Sequence, residues 1–266
     1  MGRPVASIDG EIIVFRSSDN VLFNMHRANL RAVTDGPFAE DFASTDADVA
    51  DLTEDSAPLD VLFQFVYPGK LPCLEDTEFQ SLCTIAEAAE KYRVAPAMVV
   101  CYIRMKFLLS SHPLAVKAYA YKHGYADLID PASPSSLGEP AKEAFQAMGP
   151  GPLHMGWSMY RDAHLEVLIT GTYHIQSRSH SDDFCDNWGA VVHELDMHLG
   201  KGYLSRICSI RSWNPSWALN LGYLLADQRY CFAQSRQERK AAFITQVEAI
   251  PPLSNFIRRA EGRAHE

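Results

Sequence analysis

Apolar and polar positions along the chain change their period once, and that change divides the sequence. Glu11-Ile12-Ile13-Val14-Phe15 is a β-branched and aromatic run that reads as a buried strand. Ser17-Ser18-Asp19-Asn20 is turn chemistry, and Val21-Leu22-Phe23 resumes the strand signal, which predicts a hairpin over 11–24. A short helix is expected over 26–33 and a third strand over 48–53. The period then becomes helical. Leu59, Leu62, Phe63 and Val66 follow Pro58, predicting a helix over 58–67 that Pro68-Gly69 ends. Thr77 and Gln80 make a capping-box pair before the stripe Phe79, Leu82, Cys83, Ala86 and Ala89, predicting a helix over 77–93. Glu87 and Lys91 face the other side, and Pro96 opens a further helix to about 108.

Beyond Ser110 the strand signals fade. A helix is expected over 113–127 with a turn at His123-Gly124, then a loop over 132–136, then a break at Met148-Gly149-Pro150-Gly151-Pro152. Long helices are expected over 154–176, 183–200 and 216–249, without solenoid repeats. The expected class is α+β, with an N-terminal domain over 1–110 (a short sheet with helical hairpins) and an all-helical C-terminal region over 111–266.

Composition narrows this. In 266 residues, 47% are apolar and 21% charged, ordinary globular usage that argues against wholesale disorder. The longest apolar run, Ala95 to Ile103, is far short of a membrane span, and Met1-Gly2-Arg3-Pro4 lacks a signal-peptide core. Six cysteines without a CxxC pair read as reduced thiols of a cytoplasmic or nuclear protein. The net charge is −9, and most of the excess lies in 1–110, with 9 basic against 17 acidic residues. Asp35 to Asp60 holds nine acidic residues and no Lys or Arg, which reads as a solvated face. Nothing here invites a phosphate backbone, so no direct nucleic-acid binding is expected.

At this point several segments become recognisable together. They are Glu11-Ile12-Ile13-Val14, Phe23-Asn24-Met25-His26-Arg27-Ala28-Asn29-Leu30, the pair Phe38 and Phe42, Leu62-Phe63-Gln64-Phe65-Val66-Tyr67-Pro68-Gly69, and the run from Ala86 to Tyr92. In order and spacing, over residues 9–107, they resemble a BTB/POZ domain. The whole chain resembles the fungal BTB-domain proteins that carry a helical C-terminal extension. The resemblance implies a non-enzymatic interaction module: a homodimer acting as a scaffold or regulatory protein, with unidentified protein partners. It implies a dimer-interface charged pair at Glu11 and Arg27, and partner docking at Phe38, Phe42 and Tyr67. The alternative it carries is a substrate adaptor for a cullin-type ubiquitin ligase. The cullin-contact motif of such relatives would fall at Asp41-Phe42-Ala43, where its glutamate is missing and its hydrophobic position is acidic.

Catalytic and metal motifs fail on spacing. His193 and His198 stand five apart, about 140° around a helix, where a zinc helix needs four. Gly156-Trp157-Ser158-Met159-Tyr160 lacks the second glycine of a nucleophile elbow, and Gly200-Lys201-Gly202 lacks the third glycine of a dinucleotide loop. His164, His174, His180, Cys185, His193, His198, Cys208 and Cys231 are dense but include none of the tight pairs of a structural zinc site. Trp213, Trp217, Tyr223 and Tyr230 read as helix packing. No catalytic residue, cofactor or metal is expected.

Overall fold

The computed structural model describes residues 11–39, 49–177 and 245–262. The chain divides into two compact units, Met1–Phe107 and Leu108–Glu266. The helix expected over 183–200 and nearly all of that expected over 216–249 lie outside the described residues. Mixed α and β structure, a small sheet with a majority of helices, agrees with the expected α+β class in its coarse form.

In the first unit, β1 (Ile12–Arg16) pairs antiparallel with β2 (Leu22–His26), Val14 opposite Asn24. Asn20 turns the hairpin in the left-handed region at φ 66°, which a short polar side chain tolerates. The Ser17 hydroxyl accepts from the Val21 N–H at 2.9 Å and closes the turn. β3 (Val49–Asp51) joins the other side of β1 in parallel, Val14 opposite Val49, so the order is β2-β1-β3. The run 11–15 is not buried on both faces as its composition implied. Ile13 and Phe15 point into the core, while Ile12 stays exposed on the other face.

The helices are α1 (Arg27–Val33), α2 (Ser56–Gln64), α3 (Phe79–Tyr92) and α4 (Ala95–Phe107). α2 stops three residues before its expected end. The Phe65 and Val66 N–H groups reach back only three residues, to Leu62 and Phe63, and that tighter turn buries both side chains. The start of α3 is held by Glu78 rather than Thr77, because the Glu78 carboxylate accepts from the Ser81 N–H at 3.1 Å. Of its expected stripe, Leu82, Ala86 and Ala89 are buried while Phe79 and Cys83 are half-buried, and Ile85, Ala88 and Tyr92 complete the buried face. The centre of the core is aromatic. Phe38 stacks on Tyr92 at 4.1 Å and 5°, and meets Phe15 at 4.9 Å and Phe63 at 5.7 Å.

The segment before Phe38 is clamped to the end of α3. The Thr34 hydroxyl donates to the Tyr92 carbonyl at 2.5 Å and accepts from the Gly36 N–H at 3.0 Å. Asp35 takes the Arg93 guanidinium through both oxygens at 2.7 Å. A Cβ on Gly36 would stand 2.8 Å from the Tyr92 carbonyl oxygen, so only glycine fits this approach.

The second unit is helical in its described residues: α5 (Pro113–His123), α6 (Ala126–Ile129), α7 (Ser133–Ser136), α8 (Ala141–Met148), α9 (Pro152–Ser177) and α10 (Leu253–Ala260). Gly124 ends α5 at φ 80°, the turn expected there. The loop expected over 132–136 contains the short helix α7, in which Ser133 and Ser136 of its three serines face inward. Ser136 accepts from the fully buried Lys117 ammonium at 2.6 Å and from the Trp157 indole N–H at 3.1 Å, and donates to the Ser133 carbonyl. α10 closes the unit. Its Leu253, Phe256 and Ile257 are buried, Phe256 meets Tyr160 edge-on at 5.8 Å, and Asp130 accepts from the Ser254 N–H at 2.8 Å and hydroxyl at 2.7 Å. Gly156 lets the α9 and α10 backbones touch, because a Cβ there would sit 2.8 Å from the Ile257 backbone.

Two substitutions test these close approaches. Gly36→Ala should cost about 1–3 kcal/mol by overpacking the α3 terminus, read as a lower denaturation midpoint. Gly156→Ala should cost a similar amount by forcing α10 away from α9, and hydrogen exchange should rise across 253–260 while 79–92 keeps its protection. An unchanged exchange pattern would mean that α10 does not depend on this contact.

Candidate functional site

The surface around the β2–α1 junction carries three of the residues that the sequence singled out, Glu11, Arg27 and Tyr67. β2 runs straight into α1, so strand residue His26 is also the residue before the first helical turn. Its side chain makes no capping bond. Instead the imidazole Nδ1 lies 3.1 Å from the Tyr67 hydroxyl, with the two rings edge-on at 5.9 Å. The Tyr67 hydroxyl also accepts from the His26 backbone N–H at 3.4 Å. Tyr67, half-buried at the end of the α2 segment, thereby ties that segment to the strand–helix junction.

Glu11 and Arg27 come together within the chain. The Arg27 backbone N–H donates to the Glu11 carbonyl at 2.9 Å, and the Arg27 Nε lies 2.9 Å from Glu11 Oε2. The pair is lopsided: the Arg27 side chain is 12% exposed and that of Glu11 67%. A guanidinium lying almost out of water beside a carboxylate that remains in it leaves the anionic half facing outward.

The outer face of the sheet extends this surface. The pleat and the register place Ile12, Val14 and Arg16 of β1 on one face with Leu22, Asn24 and His26 of β2, and with Val49 and Asp51 of β3. Ile12 and Leu22 are each 56% exposed, and Val14 and Val49 are half-buried. Arg16 spans the top of the face to Asp51 with two hydrogen bonds, 2.6 and 3.0 Å. The Asp51 carboxyl is held below its ordinary range by the hydrogen bond from Arg16. Period-two alternation was the signal for this apolar outer face, but a run of four apolar residues hides the alternation.

One expected docking residue is corrected. Phe38 is 0% exposed, enclosed by Phe15, Phe63 and Tyr92, and has no surface to offer a partner. Aligning two phenylalanines by sequence does not distinguish a core ring from a surface ring. Phe42, with Asp41 and Ala43, lies outside the described residues.

A polar seam joins the hairpin turn, the β3–α2 loop and the end of α3. Asp19 accepts from the Ser17 hydroxyl at 2.5 Å and from both the Ser56 N–H and hydroxyl, and these bonds, that from Ser17 first, keep its carboxyl low. Glu54 accepts from the Lys91 ammonium at 2.7 Å and from the Tyr92 hydroxyl. Burial opposes the Glu54 charge, yet the bonds from Lys91 and Tyr92 outweigh it, and the carboxyl lies below its ordinary value. Burial first, and then the Glu54 carboxylate, push the Tyr92 phenol up.

The other chemical candidates are absorbed by packing where they are described. Ser158 donates to the His154 carbonyl one turn back in α9, and Gly156 lies at the α10 contact, so that segment is continuous helix. The His164 ring is buried, its Nδ1 lying 2.8 Å from the Tyr160 carbonyl oxygen. The other metal candidates are His174, whose side chain is not described, and His180, Cys185, His193, His198, Cys208 and Cys231, which lie outside the described residues, as do the four aromatics from Trp213 to Tyr230. Among the described residues no group of three His, Cys, Asp or Glu side chains is placed to hold a metal ion, and no helix is long and apolar enough to cross a membrane. No protein-family model matches the chain, and no curated protein matches it.

Core and surface roles separate experimentally. Phe38→Ala should cost about 3–5 kcal/mol, seen as unfolding of the first unit. The Glu54 bonds should show in the pH dependence. A lowered carboxyl stabilises the fold fully above its unfolded value, near 4.3, and that contribution is lost as pH falls through the lower folded value. Glu54→Gln should therefore destabilise by about 1 kcal/mol at pH 7, and the gap between wild type and variant should close toward pH 3. A gap of constant size across this range would remove the charge from the account.

Proposed function

We propose that the protein is a non-enzymatic protein–protein interaction module of BTB/POZ type that self-associates as a homodimer and serves as a scaffold or regulatory protein. The BTB-type domain is residues 1–110 and the helical region 111–266, and a cytoplasmic or nuclear location goes with this reading. The observation that carries it is the surface at β1, β2 and α1: exposed Ile12 and Leu22 on the outer sheet face, with the nearly buried Arg27 against Glu11 at the base of α1. Exposed apolar side chains gain by burial, about 25 cal/mol for each Å² removed from water. An arginine already shielded on one side loses less solvation when a second surface covers it. Phe38 has no part in docking on this reading, and Tyr67 acts through the position it gives His26.

Light scattering at micromolar concentration tests the reading. The wild-type chain should run near twice 29.7 kDa. Ile12→Asp and Leu22→Asp change exposed positions, so the fold should persist while the mass falls to that of one chain. Arg27→Ala should also shift the equilibrium to monomer. A wild-type monomer, or a dimer indifferent to all three substitutions, would overturn it. Titration with a cullin N-terminal domain covers the adaptor alternative: submicromolar binding lost in Tyr67→Ala would replace the scaffold reading.

A further inference from the structure

We draw no further inference here: the strongest candidate, the exposed apolar stripe of Val99, Ile103 and Phe107 along one face of α4, carries nothing because nothing in the structure shows what covers it.

Discussion

Tyr92 is the residue through which the first unit holds together, because three different parts of it are engaged at once. Its ring stacks on Phe38, its hydroxyl donates to Glu54, and its carbonyl takes the Thr34 hydroxyl. These bonds come from the segment after α1, the loop after β3 and the last turn of α3, which are far apart in sequence. Arg93, next in the chain, turns to the left-handed region at φ 53° and turns the chain from α3 toward α4, while its guanidinium is held by Asp35. The segment after α1, the loop after β3 and the end of α3 are thereby fixed to one another. α1 leads directly into that segment, and β2 directly into α1. A buried phenol must find a partner for its hydroxyl, and Glu54, already held by Lys91, supplies it.

The second unit uses the same two devices, a close backbone approach and a satisfied buried polar group. Gly156 admits Ile257, and Ser136 uses its one proton and accepts from both Lys117 and Trp157. A buried ammonium is costly unless its donors are used, so the serines of α7 fix the short helix against α5 and α9. α7 has little intrinsic reason to be helical at four residues. Packing and those hydroxyls decide it, and that is why its serine- and proline-rich sequence reads as a loop.

Which parts of the fold were legible follows from the range of the interactions that make them. The hairpin, the stripe of α3, the Gly124 stop and the extents of α4 and α9 depend on neighbours a few residues away, and a local pattern contains them. The start of α2 and the whole of α10, a helix the pattern does not predict, do not. Each leaves first-turn N–H groups without a partner, and each is answered by a distant aspartate: Asp19 for Ser56 and Asp130 for Ser254. No window around Ser56 or Ser254 holds that information. The candidate site divides in the same way. Glu11 and Arg27 meet because the hairpin register brings Glu11 beside the first residue of α1, and the hairpin was readable. The burial of Phe38 depends on Tyr92, 54 positions later, and that contact was not.

The displaced titrations of the first unit follow from its hydrogen bonds and its burial. Glu54, Asp19 and Asp51 are held low by hydrogen bonds, so they stay ionised. Burial, with Glu87 nearby, raises Cys83 to about 11, and burial, with Glu90 nearby, raises Cys101 to about 12, so both remain thiols. Each of these groups keeps one protonation state through neutral pH and serves the fold in that state. The sheet's outer face and the β2–α1 junction also present exposed Ile12 and Leu22 and the outward carboxylate of Glu11. Covering the apolar side chains lowers free energy, whereas covering the Glu11 carboxylate costs solvation.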